Sequence, residues 1–141
     1  MRSWRSASED ETRAVGIELA AELVPDGCLL LLGTLGSGKT VLTQGVARGL
    51  GFESTQIQSP TYTLVHEYEL GGVRLVHADL FRVESSEIAS LGLEETLAGP
   101  GVKVVEWADR LPFAVPGALW LRLSADGSGG RRIEEASESI Q

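Results

Sequence analysis

Residues 33–40 read Gly33-Thr34-Leu35-Gly36-Ser37-Gly38-Lys39-Thr40 and satisfy every specified position of the phosphate-binding loop pattern G-x-x-x-x-G-K-[ST]. A loop that wraps a triphosphate must turn its backbone N–H groups inward, and Gly33, Gly36 and Gly38 permit the angles and close approach this requires. Lys39 is placed to extend its ammonium to the outer phosphates and Thr40 to offer its hydroxyl to Mg²⁺. The positive end of a following helix dipole favours the same anion. The alternative is a glycine-rich strand-to-helix turn with an exposed lysine. The flanks argue against it: the apolar run Cys28-Leu29-Leu30-Leu31-Leu32 reads as a buried strand, and residues 41–50 read as a helix.

A phosphate loop works with an acid at the end of a neighbouring strand, which positions Mg²⁺ or the attacking water. Asp79 ends the run 73–78 and Glu106 ends the run 102–105. The competing reading of either is a solvated strand-end carboxylate. The loop tips the balance toward function, because ligands of parallel α/β sheets lie at the carboxyl ends of the strands.

The elements that must position these groups follow from patterning. Ser8-Glu9-Asp10-Glu11 is a capping-box signature, Ala14, Ile17, Ala21 and Val24 recur at helical spacing, and Pro25-Asp26-Gly27 ends that helix. Residues 52–61 are polar, with Ser59-Pro60-Thr61 the most distinctive part. Residues 62–69 and 73–78 read as strands joined by a Gly71-Gly72 turn. Residues 84–98 have helical character, 102–107 and 118–124 read as strands, and 125–141 are rich in Gly, Ser and charge. Those last residues are expected to form a loose tail, in which 131–136 have the makings of an edge strand. The predicted fold is one α/β domain over residues 1–124, with a mixed sheet, parallel near its centre, flanked by helices and carrying a β-hairpin.

A chain of 141 residues has room for one core but little for an independent substrate domain, so a partner is expected to supply what it acts on. No apolar stretch reaches membrane-spanning length and residues 1–8 lack the hydrophobic segment of a secretory signal, which predicts a soluble, cytoplasmic protein. Cys28 is the only cysteine, so no intramolecular disulfide or cysteine zinc site forms within the chain. The balance of 20 carboxylates against 12 Lys and Arg argues against a broad nucleic-acid-binding surface.

From about Thr12 to about Leu123 the chain resembles the bacterial TsaE ATPases, components of the machinery that makes threonylcarbamoyladenosine in tRNA. The resemblance is carried by the phosphate loop, Thr43 and Gly45 after it, Ser59-Pro60-Thr61-Tyr62-Thr63, Tyr68, His77-Ala78-Asp79-Leu80-Phe81-Arg82, Leu91-Gly92-Leu93 and Glu106-Trp107. It implies a P-loop ATPase in which ATP meets Thr12, Gly33, Leu35, Gly36, Ser37, Gly38, Lys39, Thr40, Val41 and Trp107. Thr40, Asp79 and Glu106 would serve Mg²⁺, with Asp79 and Glu106 catalytic. It implies that Trp107 lies near the adenine, that residues 59–61 form a mobile loop beside the phosphates, and that the partners are TsaB and TsaD. Transfer RNA would then be met only through those partners. For Trp107 core packing is the competing role, for Thr12 an early-helix position, and for residues 59–61 a static turn.

Two positions depart from the family's habit: Thr34 stands where an acid is common, and Phe81 where tyrosine is common. His66 and His77 read as strand histidines rather than zinc ligands, and neither Arg82 nor Arg110 reads as an arginine finger. Rival functions are a small-molecule kinase, for which the chain has little room, and a nucleotide-gated assembly module without required turnover. A GTPase is weakest, because a chain without asparagine cannot carry the guanine-reading Asn-Lys-x-Asp pattern.

Overall fold

Five consecutive apolar residues, Cys28–Leu32, are all buried and form β2, the middle strand of a seven-stranded sheet. A computed structural model describes residues 1–34, 36–53, 57 and 65–137, and the backbone alone of Ser85. Its elements are β1 (Ser3–Ser6), α1 (Glu9–Leu23), β2, α2 (Lys39–Gly49), β3 (Val65–Leu70), β4 (Val73–Asp79), α3 (Ser85–Ser90), α4 (Leu93–Ala98), β5 (Val102–Glu106), a 3₁₀ turn (Ala108–Arg110), β6 (Leu119–Ala125) and β7 (Arg131–Ala136). The strand order is β1-β7-β6-β2-β5-β4-β3. β2 runs parallel to β5 and β6, and β5 to β4, whereas β3 pairs β4 and β7 pairs both β6 and β1 antiparallel. The mixed sheet with parallel central strands and a hairpin is therefore as expected.

Side chains alternate across a strand, so β2 feeds two cores. Leu29 and Leu31 join Val15, Leu19, Leu42 and Val46 on one face, while Leu30 and Leu32 join Leu80, Ile88, Leu93 and Leu97 on the other. A strand covered on both faces needs no polar alternation, which is why it reads as a continuous apolar run.

Helix α1 begins as predicted: Ser8 is the N-cap and its Oγ accepts from the Glu11 amide at 3.1 Å. Its buried face differs from expectation. Ala14, Ile17, Ala21 and Val24 are all exposed, and Thr12, Val15, Gly16, Leu19, Ala20 and Leu23 are buried. The cause is a backbone-to-backbone contact with α2. A Cβ on Gly16 would lie 2.4 Å from the Leu42 carbonyl oxygen, and one on Gly45 would lie 2.2 Å from that of Arg13. Glycines make that contact, and a search for apolar periodicity passes over them.

Residues 84–98 are helical as read, and Gly92, at φ 68°, divides them into α3 and α4. One further expectation is corrected: residues 125–137 are not loose, because β7 lies inside the sheet between β6 and β1, with Ile133 fully buried. It is not an edge strand, since β1, absent from the sequence reading, covers it. The intervening glycines and serine form a turn tied by Asp126, whose Oδ1 accepts from the Ser128 amide at 2.9 Å, Ser128 Oγ at 2.8 Å and the Gly130 amide at 3.1 Å. Residues 138–141, residues 62–64 of the first hairpin strand, and the Ser59-Pro60-Thr61 segment lie outside the described residues.

Candidate functional site

The loop leaves β2 at its carboxyl end and enters α2 through Gly38, the N-cap, at φ 103°. At Gly33, φ is 147° and a Cβ would meet the Leu123 carbonyl oxygen at 2.6 Å and Ser37 Oγ at 2.7 Å, so glycine is required there on both counts. Lys39 is 5% exposed. Its ammonium donates to the carbonyls of Gly33 at 2.6 Å and Thr34 at 2.8 Å, and to Ser37 Oγ at 3.3 Å. All three protons are thus engaged by the loop itself. Burial pulls this ammonium below lysine's ordinary pKa, against the opposing pull of Glu106, Asp79 and Asp109. Thr34 acts here through its carbonyl, which any residue supplies, so the departure at this position costs Lys39 nothing.

Parallel pairing of β4 and β5 sets Asp79 directly opposite Glu106 at the carboxyl ends of both strands. Both are buried, at 8% and 2% exposure, which the solvated-carboxylate reading does not predict. Thr40 Oγ1 donates to the Glu106 carboxylate at 3.0 and 3.2 Å to its two oxygens, joining the loop to β5 across 66 residues of sequence. Asp79 Oδ1 accepts from the Phe81 amide at 3.0 Å. His77, fully buried on β4, brings Nε2 to 2.6 Å from Glu106 Oε2.

Lys39, Thr40, Asp79 and Glu106 line one cleft of about 310 Å³, within the range of small-molecule sites, with His77 behind its wall. Of the predicted residues, Thr12, Gly36, Ser37, Gly38, Lys39, Thr40, Val41, Asp79, Glu106 and Trp107 form its wall. Gly33 does not line it and acts behind the wall through its carbonyl, while Leu35 lies outside the described residues. The sheet order gives the cleft two flanks. β5 and β4 bring Glu106, Trp107, Asp79 and Phe81 to one side of the loop; β6, β7 and β1 bring Gly129, Gly130 and Arg131 to the other, where the start of α1 adds Ser8, Glu9 and Thr12. Thr12 is buried, its Oγ1 sharing a 2.7 Å hydrogen bond with Ser6 Oγ.

Trp107 is the only non-glycine with positive φ among the described residues, at 61°. A bulky aromatic pays strain in that region, and such outliers gather at functional sites. Its ring lies 4.3 Å from the Lys39 ammonium and 4.8 Å from the Phe81 ring, with the Arg110 guanidinium 5.9 Å away. Phe81 supports this stack without a phenolic hydroxyl. The sequence reading missed the 129–131 wall because it treated those residues as tail; the signal available was the Asp126-Gly127-Ser128-Gly129-Gly130 turn between two alternating segments.

Comparison with known proteins places this cleft in a family. The family model described as threonylcarbamoyl adenosine biosynthesis protein TsaE matches residues 6–133. Relatives carrying the name tRNA threonylcarbamoyladenosine biosynthesis protein TsaE include one from Nostoc sp., 38% identical over 91% of this chain and 81% of its own. Another, from Bacillus subtilis, is 42% identical over 80% and 70%. A crystal structure of Bacillus subtilis YdiB superposes with a TM-score of 0.74 at 35% identity, covering 95% of this chain and 83% of that one. By family model, by relatives and by fold, the chain belongs to the TsaE family.

Proposed function

We infer that the cleft binds Mg²⁺-ATP and hydrolyses it, and that this turnover resets a TsaB–TsaD complex during formation of threonylcarbamoyladenosine in tRNA. The observation that carries this is the hydrogen bond from Thr40 to the buried Glu106 beside the Lys39 ammonium. It brings a phosphate-loop hydroxyl, a strand-end acid and a cation to one point, which an accidental glycine-rich turn has no reason to do.

The donor set fits Mg²⁺. A hydroxyl and two carboxylates are hard oxygen ligands, and Mg²⁺ is commonly held by one or two carboxylates together with substrate phosphates. Among the described residues no cluster of three or more His, Cys, Asp and Glu is assembled to cage a metal unaided. Thr40 and Glu106, with Asp79 beside them, would hold the ion, which when bound neutralises charge developing on the phosphoryl oxygens.

The chain's own groups have separable tasks. The amides at the start of α2 and the Lys39 ammonium receive phosphate oxygens, with phosphate taking over contacts that the Gly33 and Thr34 carbonyls make in the free protein. Asp79, opposite Glu106, orients the attacking water and accepts its proton. Because the acids define the phosphate end, the nucleoside belongs on the other flank, against Thr12, Val41 and the 129–131 wall. On this reading Trp107 does not stack on adenine as expected from the sequence; it covers the outer phosphates, next to Lys39.

The test is single-turnover ATP hydrolysis by Glu106→Gln and Asp79→Asn beside equilibrium ATP binding, with and without TsaB and TsaD. Loss of about a hundredfold in turnover is expected, at nearly unchanged ATP binding when Mg²⁺ is saturating. Undiminished turnover in both variants refutes the assignment. Full partner function with a non-hydrolysable ATP analogue would establish the assembly-module alternative instead.

A further inference from the structure

Glu106 is held from two directions, and only one of them belongs to the phosphate loop. Along parallel β4 and β5, His77 pairs with Val104 and Asp79 with Glu106. Residues two apart share a face of a strand, so His77 sits one step below Asp79 on β4 and diagonal to Glu106 across the strand pair. Its Nε2 comes to 2.6 Å of Glu106 Oε2. Its Nδ1 is buried with no hydrogen-bond partner among the described residues.

A ring retained only to fill the core gains nothing from nitrogens. A fully buried imidazole with one nitrogen unpaired is poorer than an apolar side chain of similar size, unless the other nitrogen makes a contact that matters. The hydrogen-bond pattern also assigns the tautomer. With Nε2–H donating to the carboxylate, Nδ1 is left with a lone pair rather than a stranded N–H.

We propose that His77 is a positioning residue for the metal site: its Nε2–H fixes the Glu106 carboxylate so that the remaining oxygen is presented toward Thr40 and the cation. The proposal rests on the reading of Glu106 as a Mg²⁺ ligand. Thr40 belongs to the loop that must rearrange around phosphate. His77 belongs to β4, which is hydrogen-bonded to β5 on one side and β3 on the other, so its grip on Glu106 persists whether or not nucleotide is present. Partners behind a ligating carboxylate typically change metal affinity or activity by about 10–100-fold when removed.

The experiment compares His77→Leu, which keeps bulk and removes the donor, with His77→Gln, whose amide nitrogen can reach the place of Nε2. Two quantities are read by calorimetry: ATP affinity without metal, and the Mg²⁺ concentration at which metal-dependent ATP binding is half complete. His77→Leu is expected to leave the first within about twofold and raise the second roughly tenfold or more, with His77→Gln restoring most of the difference. Should His77→Leu not fold, His77→Asn takes its place, because its amide is too short to reach Glu106. A folded donor-less variant with the parent's Mg²⁺ midpoint overturns the proposal, as does His77→Gln no better than that variant. If Glu106→Gln itself leaves the midpoint unchanged, the metal-ligand reading falls and takes this one with it. A shifted midpoint in Glu106→Gln beside unshifted His77 variants refutes His77 alone.

Discussion

Gly45→Ala puts a methyl group where the helix α1 backbone already is. The added Cβ would stand 2.2 Å from the Arg13 carbonyl oxygen and 2.8 Å from the Arg13 Cα, both backbone atoms, against the 3.4 Å at which ordinary contact begins. The helices must therefore separate by about 1 Å, since no side chain can swing aside. Overpacking of this kind costs about 1–3 kcal/mol, and rigid atoms on both sides place this case near 3 kcal/mol. Alanine is the better helix former by about 1 kcal/mol, which leaves a net loss of about 2 kcal/mol. At this chain length that lowers the melting temperature by about 6–10 °C. The start of α1 carries Ser8, Glu9 and Thr12 into the cleft, so the same separation draws one wall away from the loop. A displacement of this size can reduce turnover by as much as about a hundredfold. Thermal and urea denaturation, followed by ATP titration below the transition, measure both effects. A Gly45→Ala protein that melts at or above the parent's temperature would show that helix propensity dominates and that the two backbones are not in contact.

Other predictions address the cleft and its supports. Lys39→Ala should abolish nucleotide-dependent function, because it deletes the charge aimed at the phosphates, whereas Thr40→Ala should mainly weaken the Mg²⁺-dependent part of binding; ATP titrations with and without Mg²⁺ separate the two, and parental affinity in Lys39→Ala refutes the loop assignment. With Trp4 and Trp120 replaced by phenylalanine, Trp107 fluorescence should respond to inorganic triphosphate as well as to ATP, since the ring sits beside Lys39; a response to adenosine but not to triphosphate would return Trp107 to the base. Burial raises the Cys28 thiol to about 12, so reaction with a thiol reagent at neutral pH should be slow in the folded protein and rapid in denaturant; equal rates would contradict its place in the core. Hydrogen bonds from Ser128, then Gly130 and Arg5, hold the Asp126 carboxyl well below its ordinary value, so its contribution to stability is complete above the unfolded value of about 3.9 and is lost as pH falls below it. The urea midpoint of Asp126→Ala should therefore trail the parent's at pH 7, and the gap should narrow progressively as pH falls below about 4; a gap that stays constant from pH 7 to pH 2 would refute the role of the charge.

What could be read from the sequence is what local spacing encodes. The phosphate loop, the central apolar strand and the two strand-end acids depend on near neighbours, and all of them line or underlie the cleft as read. What escaped depends on pairing between distant segments. Residues 131–136 bury just one large apolar side chain, Ile133, and are held by backbone bonding to strands on both sides, which composition does not record. His77 reads as an ordinary strand histidine until the register of β4 against β5 sets it diagonal to Glu106, within hydrogen-bonding reach. The backbone angle of Trp107, like the burial of Gly16 and Gly45 in place of Ile17, is fixed by tertiary contact rather than by residue type.

The clasp of β7 between β6 and β1 has a consequence for synthesis. As the chain is made, the loop, the lysine and both acids exist by residue 106, yet the wall formed by residues 129–131 is missing until β7 threads between strands separated by more than a hundred positions. Pairings of such long sequence separation form late, because the intervening loop must close before they reward it. Until then β6 offers an open edge to solvent. A nascent or truncated chain that stops short of residue 131 thus holds the complete phosphate motif and half a pocket, and the closed cleft becomes a mark of the finished fold.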